Sequence, residues 1–214
     1  MAKLNVAPTK SSYLTLSRQL ESAKEGYDLL DQKRQILVYE LMSRLGRARD
    51  AERRLAAALA PAHEALREAV LTAGSAAVDR AALGVVFDHQ VDLDQQNLMG
   101  IRLPTVTART EDVSVQFGFG GTSAQTDTAL QRFVEVLPLL AETAELENSV
   151  IRLARELRKT QRRCNALSKV FIPDYSETIE YILSSLEERE REAFIIQKMI
   201  KDRLSLQAEG SDEP

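Results

Sequence analysis

From Ser12 to about Ala73 the apolar residues return at alternating intervals of three and four. Leu16, Leu20, Ala23, Tyr27, Leu30, Leu37, Leu41, Leu45, Ala48, Ala51, Leu55 and Leu59 trace one stripe, and only Arg34 interrupts it. A repeat held over this length is the mark of a helix that buries a narrow seam against a second helix. That second helix is written into the other end of the chain. Leu146, Val150, Leu153, Leu157, Thr160, Cys164, Leu167 and Phe171 step by four and three, and Tyr175, Ile179, Ile182, Leu186, Ala193, Ile196, Ile200 and Leu204 resume the rhythm.

Two prolines fall inside these patterns. Pro61 removes a helical hydrogen bond and predicts a kink or break. Pro173 predicts a joint, with Asp174 and Glu177 at capping-box spacing to restart the helix. The residues between the helices read differently. VDLDQQNLMGIRLPTVTA and DVSVQFGF have a strand-like alternation, and GFGG at 118–121 reads as a turn, so a small β-hairpin is expected there.

The expected organisation is an N-terminal arm over 1–11 and a long helix over 12–73. A compact middle with a hairpin spans 74–128, a second long helix with a joint near 173 spans 129–206, and an acidic tail over 207–214 lacks apolar anchors. The fold class is therefore mainly α, a long antiparallel two-helix coiled coil with a small β-hairpin in mid-chain. Folding the chain near residue 105 sets Leu41 and Leu45 opposite Leu167 and Cys164, and Leu16 near Ile196. At 1.5 Å per residue the first helix alone would be on the order of 90 Å long, a rod more than a globule.

Composition supports helices and excludes several functions. Tryptophan is absent, aromatic residues make up 5 % of the chain, and Ala, Leu, Glu and Arg dominate. Charged residues make up 28 % with a net charge of only −4, so the signs are interspersed and nucleic acid is disfavoured as a main partner. A single cysteine and a start, MAKLNVAPTK, without an apolar stretch lead to the expectation of an intracellular protein. No run approaches the roughly 20 apolar residues that cross a bilayer, so direct membrane insertion is not expected.

Candidate chemistry is sparse. Cys164 follows Arg162 and Arg163, which could favour a thiolate; its place in the seam series reads instead as a small apolar knob, and neither His63 nor His89 is placed to serve as its base. GFGGTS lacks the lysine of a phosphate loop. In EEREREAF, Glu187–Phe194, carboxylates alternate with Arg189 and Arg191 at ion-pair spacing. The two histidines have no ligand-spaced neighbours, so no metal or cofactor is expected.

Two basic bands remain. Arg44, Arg47, Arg49, Arg53 and Arg54 lie on the first helix; Arg152, Arg155, Arg158, Lys159, Arg162 and Arg163 lie on the second. Side by side, with Arg44, Arg47, Arg155, Arg158, Arg162 and Arg163 at the centre, they would form a collar that contacts an acidic partner. Neighbours such as Glu52 and Glu156 could equally neutralise it. Lys24, Lys33, Lys198, Lys201 and Arg203 suggest a mixed polar surface toward the helical tip.

Three ordered blocks then resemble a known family. RRCNAL at 162–167 with Asn165, Pro173, TIEYILSSLEEREREAF at 178–194, and Lys198 and Lys201 are similar to the C-terminal signature of the D subunit of the V/A-type rotary ATPases. The N-terminal stretch from Val6 resembles the same family through Pro8, Thr9, Leu14, Leu20, Ala23, Gly26, Leu29, Leu30, Lys33, Arg34 and Leu37. NLMGIRLP, with Met99, Gly100 and Pro104, resembles its strand motif. Cys164 replaces an aliphatic residue, Ser168 an acidic one and Asp31 a lysine.

The resemblance implies a non-catalytic central shaft. Its helical ends would enter a ring of catalytic A and regulatory B subunits, and its lower part would bind the F subunit and seat on the C subunit. It implies a cytoplasmic location, peripheral to the membrane, and a role in ion transport and ATP synthesis or hydrolysis. The seam residues Leu16, Leu20, Tyr27, Leu30, Leu37, Leu41, Leu45, Leu157, Cys164, Leu167, Ile179, Ile182, Leu186 and Ile196 would stiffen that shaft. The alternatives are a non-rotating coiled-coil adaptor or tether, and a small thiol-dependent enzyme.

Overall fold

The computed structural model describes residues 4–85, 90–109 and 122–209. Helix α1 spans Lys10–Ala73, α2 Ser75–Gly84, strands β1 and β2 Gln90–Leu98 and Ile101–Arg109, and α3 Ala124–Ala166; a π-helical turn, Leu167–Phe171, then leads into α4, Ile172–Glu209. The expected second strand at 112–119, the GFGG turn, His89 and the tail from residue 210 lie outside the described residues. The described residues gather into two compact units. One joins the N-terminal residues up to Lys33 with those from Thr160 onward; the other is Arg34–Lys159.

Helix α1 starts at a side-chain cap. Thr9 Oγ1 accepts the backbone N–H of Ser12 at 3.1 Å, two helical residues after Lys10, satisfying a donor that the first turn leaves free. The helix ends where Gly74 takes a φ of 83°, a conformation that side chains disfavour, and α2 starts beyond it. Pro61 was expected to kink or break α1, yet the helix runs through it. Pro61 and Ala57, whose carbonyl loses its donor, both lie on the exposed side, so the carbonyl left without a donor is not shut away from solvent.

Strands β1 and β2 pair antiparallel, Leu98 opposite Ile101 and Gln90 opposite Arg109. Only Met99 and Gly100 separate them, with φ of 51° and 81°. Positive φ at both positions is the two-residue turn whose twist matches that of paired strands.

In the unit Arg34–Lys159, the hairpin lies on the helix pair. Leu37 of α1, Leu103 of β2 and Leu153 of α3 form a core cluster, with Leu41, Leu98, Ile101 and Leu157 packed against it. Further along, Arg54 of α1 meets Glu142 of α3 at 2.8 Å. These pairings differ from the expected register: Leu41 packs against the cluster that holds Leu153, fourteen residues before the Leu167 expected opposite it. The helix ends explain the difference. Ala73 and Ala124 centre the reversal on the Met99–Gly100 turn, several residues before 105.

Toward that reversal the seam changes from leucine to alanine. Ala51, Ala62 and Ala69 of α1, Ala77 and Ala81 of α2, and Ala129 and Ala141 of α3 are buried, whereas Leu55 and Leu59 are only half-buried. Small side chains let helix backbones approach closely, which accommodates the additional helix α2.

In the other unit the N-terminal arm lies along α4. The Leu4 N–H donates to Thr178 Oγ1 at 3.2 Å, and Arg189 donates to the Pro8 carbonyl at 3.0 Å. Lys10 pairs with Glu190 at 3.3 Å. Helix α1 then returns antiparallel, so that Arg18, Ser22 and Ala23 line a shallow hollow with Leu167, Phe171 and Tyr175. Leu16, Thr160, Cys164, Thr178 and Ile182 are buried here.

Pro173 does not stop the helix. The Ile172 N–H reaches back to the Leu167 carbonyl, five residues away, and this widened turn absorbs the irregularity before the proline. Asp174 is therefore inside α4, and instead of opening a capping box its carbonyl accepts the Thr178 hydroxyl at 2.6 Å.

Two substitutions distinguish the two halves of the seam. Leu153→Ala opens a cavity and should lower stability by about 2–5 kcal/mol. Ala62→Leu overfills the alanine contact and should cost about 1–3 kcal/mol. Denaturant unfolding measures both, and an unchanged midpoint for either would refute that part of the packing.

Candidate interaction surfaces

The hairpin is fastened by backbone as well as by leucine. The pair closing the turn, Leu98–Ile101, exchanges ladder bonds, so alternate pairs after it present their N–H and C=O groups outward. On β2 these are Arg102, Pro104 and Val106. Arg152 Nη1 donates to the Arg102 carbonyl at 2.6 Å, and the Val106 N–H donates to Glu145 Oε2 at 2.7 Å. Between them Pro104 has no N–H to satisfy. Two side chains of α3 and one proline thus occupy an edge that would otherwise template another strand.

The seam residues do not share one degree of burial. Leu16, Leu37, Cys164 and Ile182 are buried; Leu20, Tyr27, Leu30, Leu41, Leu45, Leu157, Leu167, Ile179 and Leu186 are half-buried; Ile196 is 56 % exposed. The pair Lys10–Glu190 explains the last case, because α1 begins there and α4 continues to Glu209. Beyond that level Phe194, Ile195, Ile196, Met199 and Ile200 are all exposed, interleaved with Lys198 and Lys201. The tip is thus more apolar than the sequence suggested.

Cys164 is 1 % exposed, while Arg162 and Arg163 lie on the exposed side of the helix. Arg44 packs beside Glu40 at 3.6 Å, with its side chain mostly covered. Arg47, Arg155 and Arg158 are exposed. Arg54 faces Glu142 and Lys159 sits 4.0 Å from Glu156, so part of each basic band is locally matched by acid. Asn165 is exposed and accepts from Gln161 at 3.2 Å; Pro173 follows the π turn. His63 stacks edge-on against Phe133 with ring centroids 5.5 Å apart. Among the described residues no three His, Cys, Asp or Glu side chains gather as metal ligands, and no helix is long and apolar enough to cross a membrane.

The long helix pair with a hairpin seated against it is matched by sequence similarity along its length. Residues 12–202 match the family model described as the D subunit of ATP synthase. The chain belongs to the family of ATP synthase D subunits. The A-type ATP synthase D subunit of Methanosphaera stadtmanae is 36 % identical over 202 residues, covering 93 % of this chain and 94 % of that one. That of Thermococcus sibiricus is 34 % identical over 210 residues, covering 97 % and 98 %. The V-type ATP synthase D subunit of Thermotoga neapolitana is 33 % identical over 202 residues, covering 94 % and 100 %.

Sequence reasoning missed Glu145 and Arg152 as anchors of the hairpin in this D-type chain. Their periodicity marks an exposed helix face, and nothing local says that a strand edge will arrive there. It also missed the strap formed by the N-terminal arm, which depends on Thr178 and Arg189 far along the chain.

Glu145→Ala leaves the Val106 N–H without its acceptor and should cost about 1–3 kcal/mol. Glu145→Gln, which keeps a carbonyl oxygen, should recover part of it. Hydrogen exchange at Val106 is the readout; unchanged protection in Glu145→Ala would contradict the edge contact.

Proposed function

We propose that this chain is the central rotor shaft of an A/V-type ATP synthase, transmitting torque between a membrane ion-translocating ring and a ring of A and B subunits. It carries no catalytic group of its own; its work is mechanical. The F and C subunits are its other partners, and it sits on the cytoplasmic side, peripheral to the membrane. Family membership across nearly the whole chain is the observation that carries the reading.

The physical features agree with it. A shaft must resist bending, and side chains interlocked along a helix seam couple two backbones. Cys164, 1 % exposed, lies within the buried seam. The exposed apolar end of α4 supports its insertion into a sleeve of other subunits, since contiguous apolar surface of that kind marks an interaction site.

Reconstituted A and B subunits should bind this chain as a ring complex. Ile196→Asp together with Ile200→Asp should weaken that binding while changing the chain's own stability by no more than about 0.5 kcal/mol, because both positions are exposed. Co-elution and thermal unfolding measure the two effects. Failure of the parent chain to bind the ring in any nucleotide state would contradict the reading.

A further inference from the structure

Helix α4 keeps its apolar rhythm past the level of Glu190, where Lys10 marks the start of α1. Ile182 is fully buried, while Ile195, Ile196, Met199 and Ile200 are each more than half exposed. Glu192 lies one turn before this group and Arg203 one turn after it. The six follow at steps of three, one, three, one and three, so they share one face of the helix. Among the described residues Glu192 and Arg203 meet no opposite charge, whereas Arg191 pairs with Glu188 and Arg189 holds the Pro8 carbonyl. We infer that this face binds the same face of a second copy of the chain, the two α4 ends running antiparallel.

The order of the residues carries the choice of occupant. Turned end for end about a two-fold axis, the face meets itself: Glu192 lies opposite the second copy's Arg203, Ile195 opposite its Ile200, and Ile196 opposite its Met199. Each pairing occurs twice, so two ion pairs bracket one apolar centre, as a self-complementary two-fold contact requires. A parallel pair fails on two counts. It would set Glu192 against Glu192 and Arg203 against Arg203, like charges in register. It would also bring the copy's α4 alongside residues 178–190, where Leu4, Pro8 and Lys10 already contact the helix. In the antiparallel pair the residue level with Glu190 is the second copy's Ser205, and its α4 ends at Glu209, about one turn further on. The second copy thus takes up the seam where α1 leaves it.

The contact is small. About three helical turns from each chain bury on the order of 1,000 Å² or less, the size of a weak and reversible interface. Pairing therefore depends on concentration and suits a chain that has not yet entered an assembly. Under the rotor reading the same face enters the ring, so pairing and ring entry exclude each other; the pairing itself does not rest on that reading.

Sedimentation equilibrium of the full chain between about 1 and 300 µM should show its mass rising toward twice that of the monomer. Glu192→Arg alone, or Arg203→Glu alone, turns both attractions into repulsions and should weaken association at least about tenfold. The two together restore opposite charges in both pairs and should bring association back to within about threefold of the parent chain. Direction is read by disulfide trapping on a Cys164→Ala background. Chains carrying Ile196→Cys and Met199→Cys, mixed and oxidised with diamide, should join to each other at least about tenfold more than like joins like, since only facing positions come within bonding reach. A mass that stays monomeric throughout, association indifferent to either single reversal, a double variant no tighter than the single ones, or an excess of like-with-like disulfides would each overturn the proposal. A chain that pairs in this way, yet does not bind A and B subunits at concentrations where it is monomeric, would count against the rotor reading alone.

Discussion

The contact among Leu37, Leu103 and Leu153 is the one on which the unit Arg34–Lys159 depends. Three side chains from three separate elements close one apolar cluster, and each removes from water a surface that its own element cannot cover. Leu37 and Leu153 set the helix register, while Leu103 binds the hairpin to both helices. Once that register is set, Arg54 meets Glu142 and the alanines of α1 face those of α3. Glu145 and Arg152 also come into reach of β2. The polar contacts are thus consequences of the apolar one, and they add direction where leucine packing adds only attraction.

The helices were legible in the sequence because burial on one face forces a period, and the period survives translation into residues. The hairpin was legible in part: the alternation around NLMGIRLP marked strands, and Met99–Gly100 is a turn whose backbone only certain residue pairs favour. Register was not legible, since every heptad offers a similar seam and the choice depends on where each helix ends. The prolines misled for a related reason. Pro61 removes one hydrogen bond, but a carbonyl facing water loses little by it, and before Pro173 a single wider turn suffices. Burial of Ile196 was expected from the same rhythm that buries Ile182. Periodicity reports that a face is apolar; it does not report whether the covering helix comes from the same chain.

That last distinction joins the fold to the function. A subunit that covered all of its apolar surface internally would leave little to hold it in an assembly. Here the seam buries side chains along each helix, while among the described residues the apolar side chains Phe194, Ile195, Ile196, Met199 and Ile200 at the end of α4 stay exposed. Within the unit that holds them, Cys164 and Thr160 are buried, and the buried Thr178 donates its hydroxyl to the Asp174 carbonyl one turn back.

The central claim is that the chain turns. A bead attached through Met99→Cys, at the exposed hairpin turn, on a complex reconstituted with immobilised A and B subunits would report this directly. The account predicts stepwise rotation in one direction on addition of ATP, stopping when ATP is withdrawn. A chain that stays bound to the ring, while ATP is hydrolysed, without rotating would contradict it and would make the molecule a tether between two assemblies.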